Sequence, residues 1–470
     1  MFISDLLWHA AVVVVKWVAV AAVVSVCVVV MWVVVEMVQF LIPPLNFPRN
    51  IPTIPFYVSF RGGLDQLEIY ERYLRDKLEK YGAVKIYFAS RWNILVSRPE
   101  YLVHIFKNED IFAKSGNHKK IPGSLLATYT GDNVISAHGH LWRKYREVVA
   151  SSIQFPDLAP IEENTATFMK ALEQELESGS AIMVGDLLQK YSLANVGDCI
   201  VGADLISMHE KIKYIKSQIF KRFFMSFPSV ERFPIPSRIK ARREVEEFRN
   251  WFGAKIMQSR RGAAAKLTAA LSDGKLTQKQ FLDNSIILMV AGHENPLLLM
   301  LSLLHVLAKN PTVQDQIRRE PEPTLSAVIY ETLRLFPPLN QIVNRCTTKV
   351  AYLGDIRIPK GAYVGYYNMG TGRDRNIWES ADEFKPERWG STVEEAAVNY
   401  SQAKRSGKLP AFHGRKRACL GEKYALYQCK FLIEAILGKY KISLDESFEG
   451  RITSAGPIAP VNMKLHFSCL

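Results

Sequence analysis

The stretch Phe412-His413-Gly414-Arg415-Lys416-Arg417-Ala418-Cys419-Leu420-Gly421 sets one cysteine between a glycine-containing turn and a periodic run from Glu422 to Leu437. The run reads as a helix, so the cysteine sits at a helix mouth. Helix starts leave N–H groups without intrahelical partners and carry the positive end of the helix dipole. Both favour a thiolate. Arg417 and Lys416 add positive charge in the same turn. Taken alone, Cys419 is most simply a structural cysteine in a turn. The neighbouring motifs decide otherwise.

Thr277-Gln278-Lys279-Gln280 has the form of a capping box and opens an apolar helix that runs to about Leu307. Its middle reads Ala291-Gly292-His293-Glu294-Asn295-Pro296. Pro296 has no N–H for the carbonyl of Gly292, which predicts a kink and a free backbone acceptor there. Glu331-Thr332-Leu333-Arg334 puts a carboxylate and a guanidinium at i, i+3 on a helix ending before Pro337-Pro338. Phe384-Lys385-Pro386-Glu387-Arg388-Trp389 follows. Upstream, Trp142 and Arg146 lie at i, i+4, on one helix face.

Each motif is common alone. Together, in this order, they resemble the cytochrome P450 family. Its haem loop reads Phe-x-x-Gly-x-Arg-x-Cys-x-Gly, and Phe412, Arg417, Cys419 and Gly421 match. The fourth position is Arg415, with Gly414 one place early. The resemblance implies haem b with Cys419 as axial ligand of the iron. It also implies that Phe412, Arg417 and Gly421 of the same loop bind the cofactor. Trp142, Arg146 and Arg345 become propionate ligands, and Arg415 either strains the loop or reaches a propionate. On the long helix, Gly292 makes room for dioxygen and Glu294 becomes the relay acid. Asn295 replaces the family's usual threonine. Glu331 would share its carboxylate between Arg334 and Arg388, a structural lock.

The fold class implied is mainly α with a small β-rich lobe, the cytochrome P450 fold, preceded by one transmembrane helix. Trp17 to Val35 is uncharged, apolar and long enough to span a bilayer. Lys16 and Glu36 bound it, with Trp8, Trp17 and Trp32 as interface anchors. Pro43, Pro44, Pro48, Pro52 and Pro55 follow. They suggest a stiff connector holding the globular part off the membrane. The expected division is an anchor over 1–42, a proline-rich linker over 43–56 and a catalytic domain over 57–470.

The chain is basic, with a net charge of +14. No zinc-finger spacing or compact basic run points to nucleic acid, so the charge suits a membrane surface or an acidic protein. The six cysteines form no C-x-x-C pair, which suits a reducing compartment. Aromatics interleaved with Arg and Lys between Phe220 and Phe233 suit a loop dipping into lipid headgroups as well as ordinary core aromatics. The polar stretch Ala113 to Asn133 reads as a surface loop, and in the family this region covers the substrate pocket. The Pro-rich tip Ala455 to Pro460 is a second candidate for lining it.

The resemblance implies an endoplasmic reticulum anchor with a cytosolic catalytic domain. Electrons would come from NADPH-cytochrome P450 reductase. The reaction would hydroxylate or oxidatively couple a small organic metabolite using O2. The Cys loop and the Ala291 to Asn295 stretch look like fungal members, among them dityrosine-forming and secondary-metabolite enzymes. The alternatives are a weakly active haem protein and a reductase-independent isomerase or dehydratase.

Overall fold

The computed structural model describes residues 2–59, 63–179 and 181–470; the side chains of residues 2–7, 10, 11, 59, 178, 222 and 226 lie outside the description. Among the described residues the strands are β1 (Ala83–Phe88), β2 (Arg91–Val96), β3 (Phe112–Lys114), β4 (Ala181–Ile182), β5 (Gln341–Thr347), β6 (Ala351–Leu353), β7 (Ile356–Ile358), β8 (Tyr363–Tyr367), β9 (Tyr440–Leu444) and β10 (Leu465–Cys469). A five-stranded sheet runs β1-β2-β8-β5-β3, a three-stranded one β4-β10-β9, and β6 pairs with β7. The rest is largely helical, as the motifs imply. The β1–β2 hairpin turns at Ala89 and Ser90, with φ of 49° and 63°. Positive φ at both central residues matches the twist of the flanking strands.

The long helix Gln278–Lys309 organises the rest. Thr277 Oγ1 accepts from Gln280 N–H, and Gln280 Oε1 accepts from Thr277 N–H, which completes the predicted capping box. Its first half, with Ile286, Ile287 and Leu288, belongs to one apolar cluster. Its second half, with Leu299, Leu303 and Leu307, belongs to another. The helix therefore joins the two main cores, and Pro296 lies at the junction. The helix continues through this proline as one element. The predicted kink does not break it, and beside the proline Ser192 donates to the carbonyl of His293 at 2.8 Å.

Three expectations change. Residues 113–133 are not an irregular loop. They form β3 and the short helices Asn117–Lys120 and Leu125–Thr130. The apolar run lies in a longer helix, Phe2–Leu41, in which Lys16 and Glu36 are interior residues. The proline-rich segment is not a spacer. Ile51 and Ile54 are buried, Lys85 Nζ donates to the Pro48 carbonyl at 2.8 Å, and Thr53 bridges to Lys85. Prolines there end local helix, but the apolar residues between them have a sheet to pack on. Phe40, at the foot of the N-terminal helix, meets Phe56 and Tyr87 with ring centroids 4.5 and 4.9 Å apart.

Candidate active site

A cavity with about 1440 Å³ free of protein atoms, partly open to solvent, lies between the long helix and the start of the helix Glu422–Lys439. Ala291, Gly292, Asn295 and Pro296 line it from the long helix, and Phe412, Cys419, Leu420 and Gly421 from the loop. Trp142 and Arg146 also face it, from the helix Gly139–Gln154. With Arg417, eight of the sequence-predicted residues thus share one cavity although they are spread from 142 to 421.

Cys419 is held by its own N–H, which donates to the Phe412 carbonyl at 2.9 Å and closes the loop. Its surface opens to the cavity while protein encloses it elsewhere. Burial pushes the thiol up to about 11, opposed by the N–H of Gly421 and by Lys404. The expected help from Arg417 is not found. That side chain turns away, pairs with Glu109 at 3.1 Å and donates to the carbonyls of Ile135 and Ala137, both at 2.9 Å. The protein alone therefore favours the thiol, and a metal at the sulfur would supply the pull toward thiolate.

Gly414 and Arg415 explain the shifted glycine. A β-carbon on Gly414 would stand 2.6 Å from Phe106 Cδ2, so the ring needs a glycine there. Arg415 takes φ of 57°, in the left-handed region, and is exposed. The strain expected of Arg415 is present, whereas its side chain lines no part of the cavity.

Three buried cations stand at one edge of the cavity. Lys114 lies directly across from Arg345 in the β3–β5 ladder, and Arg417 is close to both. Like charges opposite each other on strands repel. Burial, with Arg345 and Arg417 nearby, drives Lys114 well below its ordinary value. Glu109 is the carboxylate that acts on all three. Arg345 gives Nη1–H to the Phe112 carbonyl at 2.8 Å, and its Nε and Nη2 have no partner. Such an excess of buried positive charge fits a ligand bearing carboxylates, as haem propionates are. Lys114 lines the cavity; Arg345, its cross-strand neighbour, is not among the lining residues. Lys114 was missed in the sequence because a lysine in a polar stretch looks solvated; its cross-strand place opposite Arg345 is the signal.

On the long helix, the residues divide between two faces. Asn295 lines the cavity. Glu294 does not: it pairs with Lys216 of the helix His209–Ile219 at 2.6 Å. His293 is buried on the far side, with Nδ1 donating to the Met289 carbonyl at 2.6 Å. The space left by the missing side chain of Gly292 is filled by Val196, so this glycine serves helix–helix contact while its backbone borders the cavity.

The scaffold lock forms as expected and is larger than expected. Glu331 is fully buried. It accepts from Arg334 Nε and Nη2 at 2.9 and 2.7 Å and from Arg388 Nε at 3.0 Å. Lys385 N–H and Trp389 Nε1–H add 2.9 and 3.1 Å bonds. Arg334 also donates to the carbonyls of Ala381 and Glu383. The Pro-rich tip does not line the cavity, but Pro457 bridges to Leu339, which does.

A mainly helical fold with a cysteine loop facing a central helix across a cavity defines the haem-thiolate class of enzyme. The chain belongs to the cytochrome P450 family, whose model matches residues 48–456. It is 45% identical to Cytochrome P450-DIT2 of Saccharomyces cerevisiae over 91% of this chain and 94% of that one. It is 36% identical to Cytochrome P450 monooxygenase xanG of Aspergillus fumigatus, over 87% of this chain and 85% of that one. Among solved structures, that of CalO2 superposes with a TM-score of 0.66 at 18% identity, covering 80% of this chain and 91% of CalO2. The family is one of oxidoreductases that use a haem-thiolate cofactor, small-molecule substrates and a redox partner.

Proposed function

We propose that the protein is a monooxygenase that binds haem b through Cys419 and hydroxylates or oxidatively couples a small organic metabolite in fungal secondary metabolism. The observation that carries this is one cavity lined by Cys419 together with Asn295 and Pro296. Haem, when bound, supplies dioxygen activation assisted by electron density from the sulfur. The chain's own residues do the rest. Lys114 and Arg345 would hold the propionates, with Trp142 and Arg146 at the same cavity. Ile287, Leu288 and Ile342 keep the cavity apolar and exclude water. Glu294 would leave Lys216, take up a proton from solvent and pass it on through water held by the Asn295 amide.

Electrons would come from NADPH-cytochrome P450 reductase, met by the basic face of the catalytic domain. The N-terminal helix would hold the protein in the endoplasmic reticulum membrane as a single span, with the catalytic domain in the cytosol. The test is a carbon monoxide difference spectrum of the reduced protein. A thiolate-type Soret band, lost in Cys419→Ala, supports the assignment; colourless protein ends it. Glu294 held by Lys216, with Asn295 in place of a hydroxyl, favours a second reading, a reductase-independent isomerase or dehydratase. Turnover without NADPH and reductase would select it.

A further inference from the structure

Beside the cysteine loop, two tyrosines from different helices lie face to face. Tyr330 of the helix Pro321–Leu335 and Tyr400 of the helix Val393–Arg405 have ring centroids 3.9 Å apart and planes 10° from parallel. Aromatic pairs ordinarily sit edge-on or offset, with centroids about 4.5–7 Å apart. Tyr400 is only 7% exposed, whereas Tyr330 is half-buried and keeps part of its surface in solvent. The stack therefore runs from the interior to the surface.

Its inner end is tied to the sulfur. Tyr400 OH donates to Glu422 Oε1 at 2.8 Å, and Glu422 opens the helix that follows Cys419, three residues past it. Lys404 pairs with the same carboxylate and stands over both the Tyr400 and the Phe412 rings, 4.9 and 6.0 Å from their centroids. The Phe412 carbonyl in turn accepts the Cys419 N–H. Burial and the Glu422 carboxylate push the Tyr400 phenol well above its ordinary value, so it stays protonated until its ring loses an electron. At that moment a base stands one hydrogen bond away. The tryptophans nearby suit electron loss less well. Trp389 lies 5.7 Å from Tyr330, and Trp378 lies 5.7 Å from Trp389. Arg334 and Arg388 stand over Trp378 at 5.4 and 5.9 Å, and Glu331 is the one carboxylate they share. A cation over a ring face is attracted by the ring's electrons and opposes the removal of one. Over Tyr400 the single cation is matched by Glu422.

We propose that Tyr400 and Tyr330 are an internal electron donor, which reduces the oxidised cofactor when no substrate is bound and carries the oxidising equivalent to the surface at Tyr330. One electron leaves the Tyr400 ring for the cofactor, and the phenolic proton goes to Glu422. Tyr330 then refills Tyr400: one electron crosses the stack, Glu422 returns the proton to Tyr400, and the Tyr330 proton goes to solvent. A one-electron reductant in solution, of the ascorbate class, restores Tyr330 with a proton from water. Two such events match one peroxide, a two-electron oxidant. The pair thus spares the cavity wall from oxidation. The inference rests on the haem-thiolate reading of Cys419.

The test mixes full-length haem protein, free of substrate, with meta-chloroperoxybenzoic acid and freezes it for electron paramagnetic resonance. A parallel sample contains a nitroso spin trap and is digested for peptide mass spectrometry. We expect a tyrosyl signal in wild type that is lost in Tyr400→Phe, and trap adducts on Tyr330, the member that meets solvent. Tyr330→Phe should keep the signal and lengthen its life, since the exit to solvent is gone. A signal unchanged in Tyr400→Phe, or one that persists in haem-free Cys419→Ala, overturns the proposal. So do adducts confined to other residues, a result that needs only wild type and decides the matter even if Tyr400→Phe does not fold. No radical in protein with the thiolate-type carbon monoxide band overturns the proposal and leaves the haem assignment standing. A preparation lacking that band overturns both.

Discussion

The Cγ2 methyl of Val196 lies 2.2 Å from the point where a β-carbon on Gly292 would stand. The helix Gly185–Val196 therefore approaches the long helix as closely as the absence of a side chain allows. Gly292→Ala should destabilise the protein by about 1–3 kcal/mol, the usual cost of adding a methyl to a filled interior. Val196→Ala should restore most of the loss in the double variant. Urea unfolding of the four proteins measures this, and equal losses with and without Val196 would place the cost elsewhere.

Glu331 accepts five hydrogen bonds from four residues, in a place water does not reach. Glu331→Ala strands Arg334 and leaves Arg388 and Trp389 without their acceptor. The loss should be about 3–5 kcal/mol. We expect little folded protein at 37 °C and a sharp fall in the yield of pigmented material. Pigment at wild-type yield would show that the Arg334 bonds to carbonyls suffice.

Arg415 adopts a backbone conformation that costs an ordinary L-residue about 1–2 kcal/mol. Arg415→Gly should raise the midpoint of thermal unfolding by a few degrees, less whatever the freer unfolded chain takes back. Gly414→Ala should lower it, because Phe106 occupies the space. Scanning fluorimetry distinguishes the two directions.

Asp382 receives a bidentate pair of 2.6 Å hydrogen bonds from Arg75, with Arg373 at 3.2 Å. The Arg75 hydrogen bonds hold its carboxyl below the usual carboxylate range. Its contribution is therefore complete above that range and disappears as pH falls through the lowered value. The urea midpoint of wild type should exceed that of Asp382→Asn at pH 7. The gap should close as pH falls below the usual carboxylate range, and a gap independent of pH would exclude the ion pair as its source.

Much of the site was legible because its members are recorded in short spacings. Glu331 and Arg334 sit one helical turn apart. Cys419 follows a turn and precedes a helix. Thr277 and Gln280 cap each other locally. The remaining members were hidden because their roles depend on neighbours distant in sequence. Val196 gives Gly292 its purpose from 96 positions away. Lys216 draws Glu294 off the cavity, Phe106 moves the glycine requirement to Gly414, and Trp389 completes the cage round Glu331. The proline-rich segment misled for the same reason. Prolines describe the backbone they occupy, and nothing local to them reveals the sheet on which Ile51 and Ile54 lie.

The sequence by itself determined the family resemblance and with it a mainly helical fold, and that an apolar helix precedes it. The resemblance rests on short motifs and the apolar run on local composition, and both are recorded over a few residues. Only the tertiary structure decided which way each group faces. It turned Arg417 from the sulfur to Glu109, buried Lys114 opposite Arg345 and stacked Tyr400 on Tyr330. Direction is set by what packs on the other side, and that surface comes from another part of the chain.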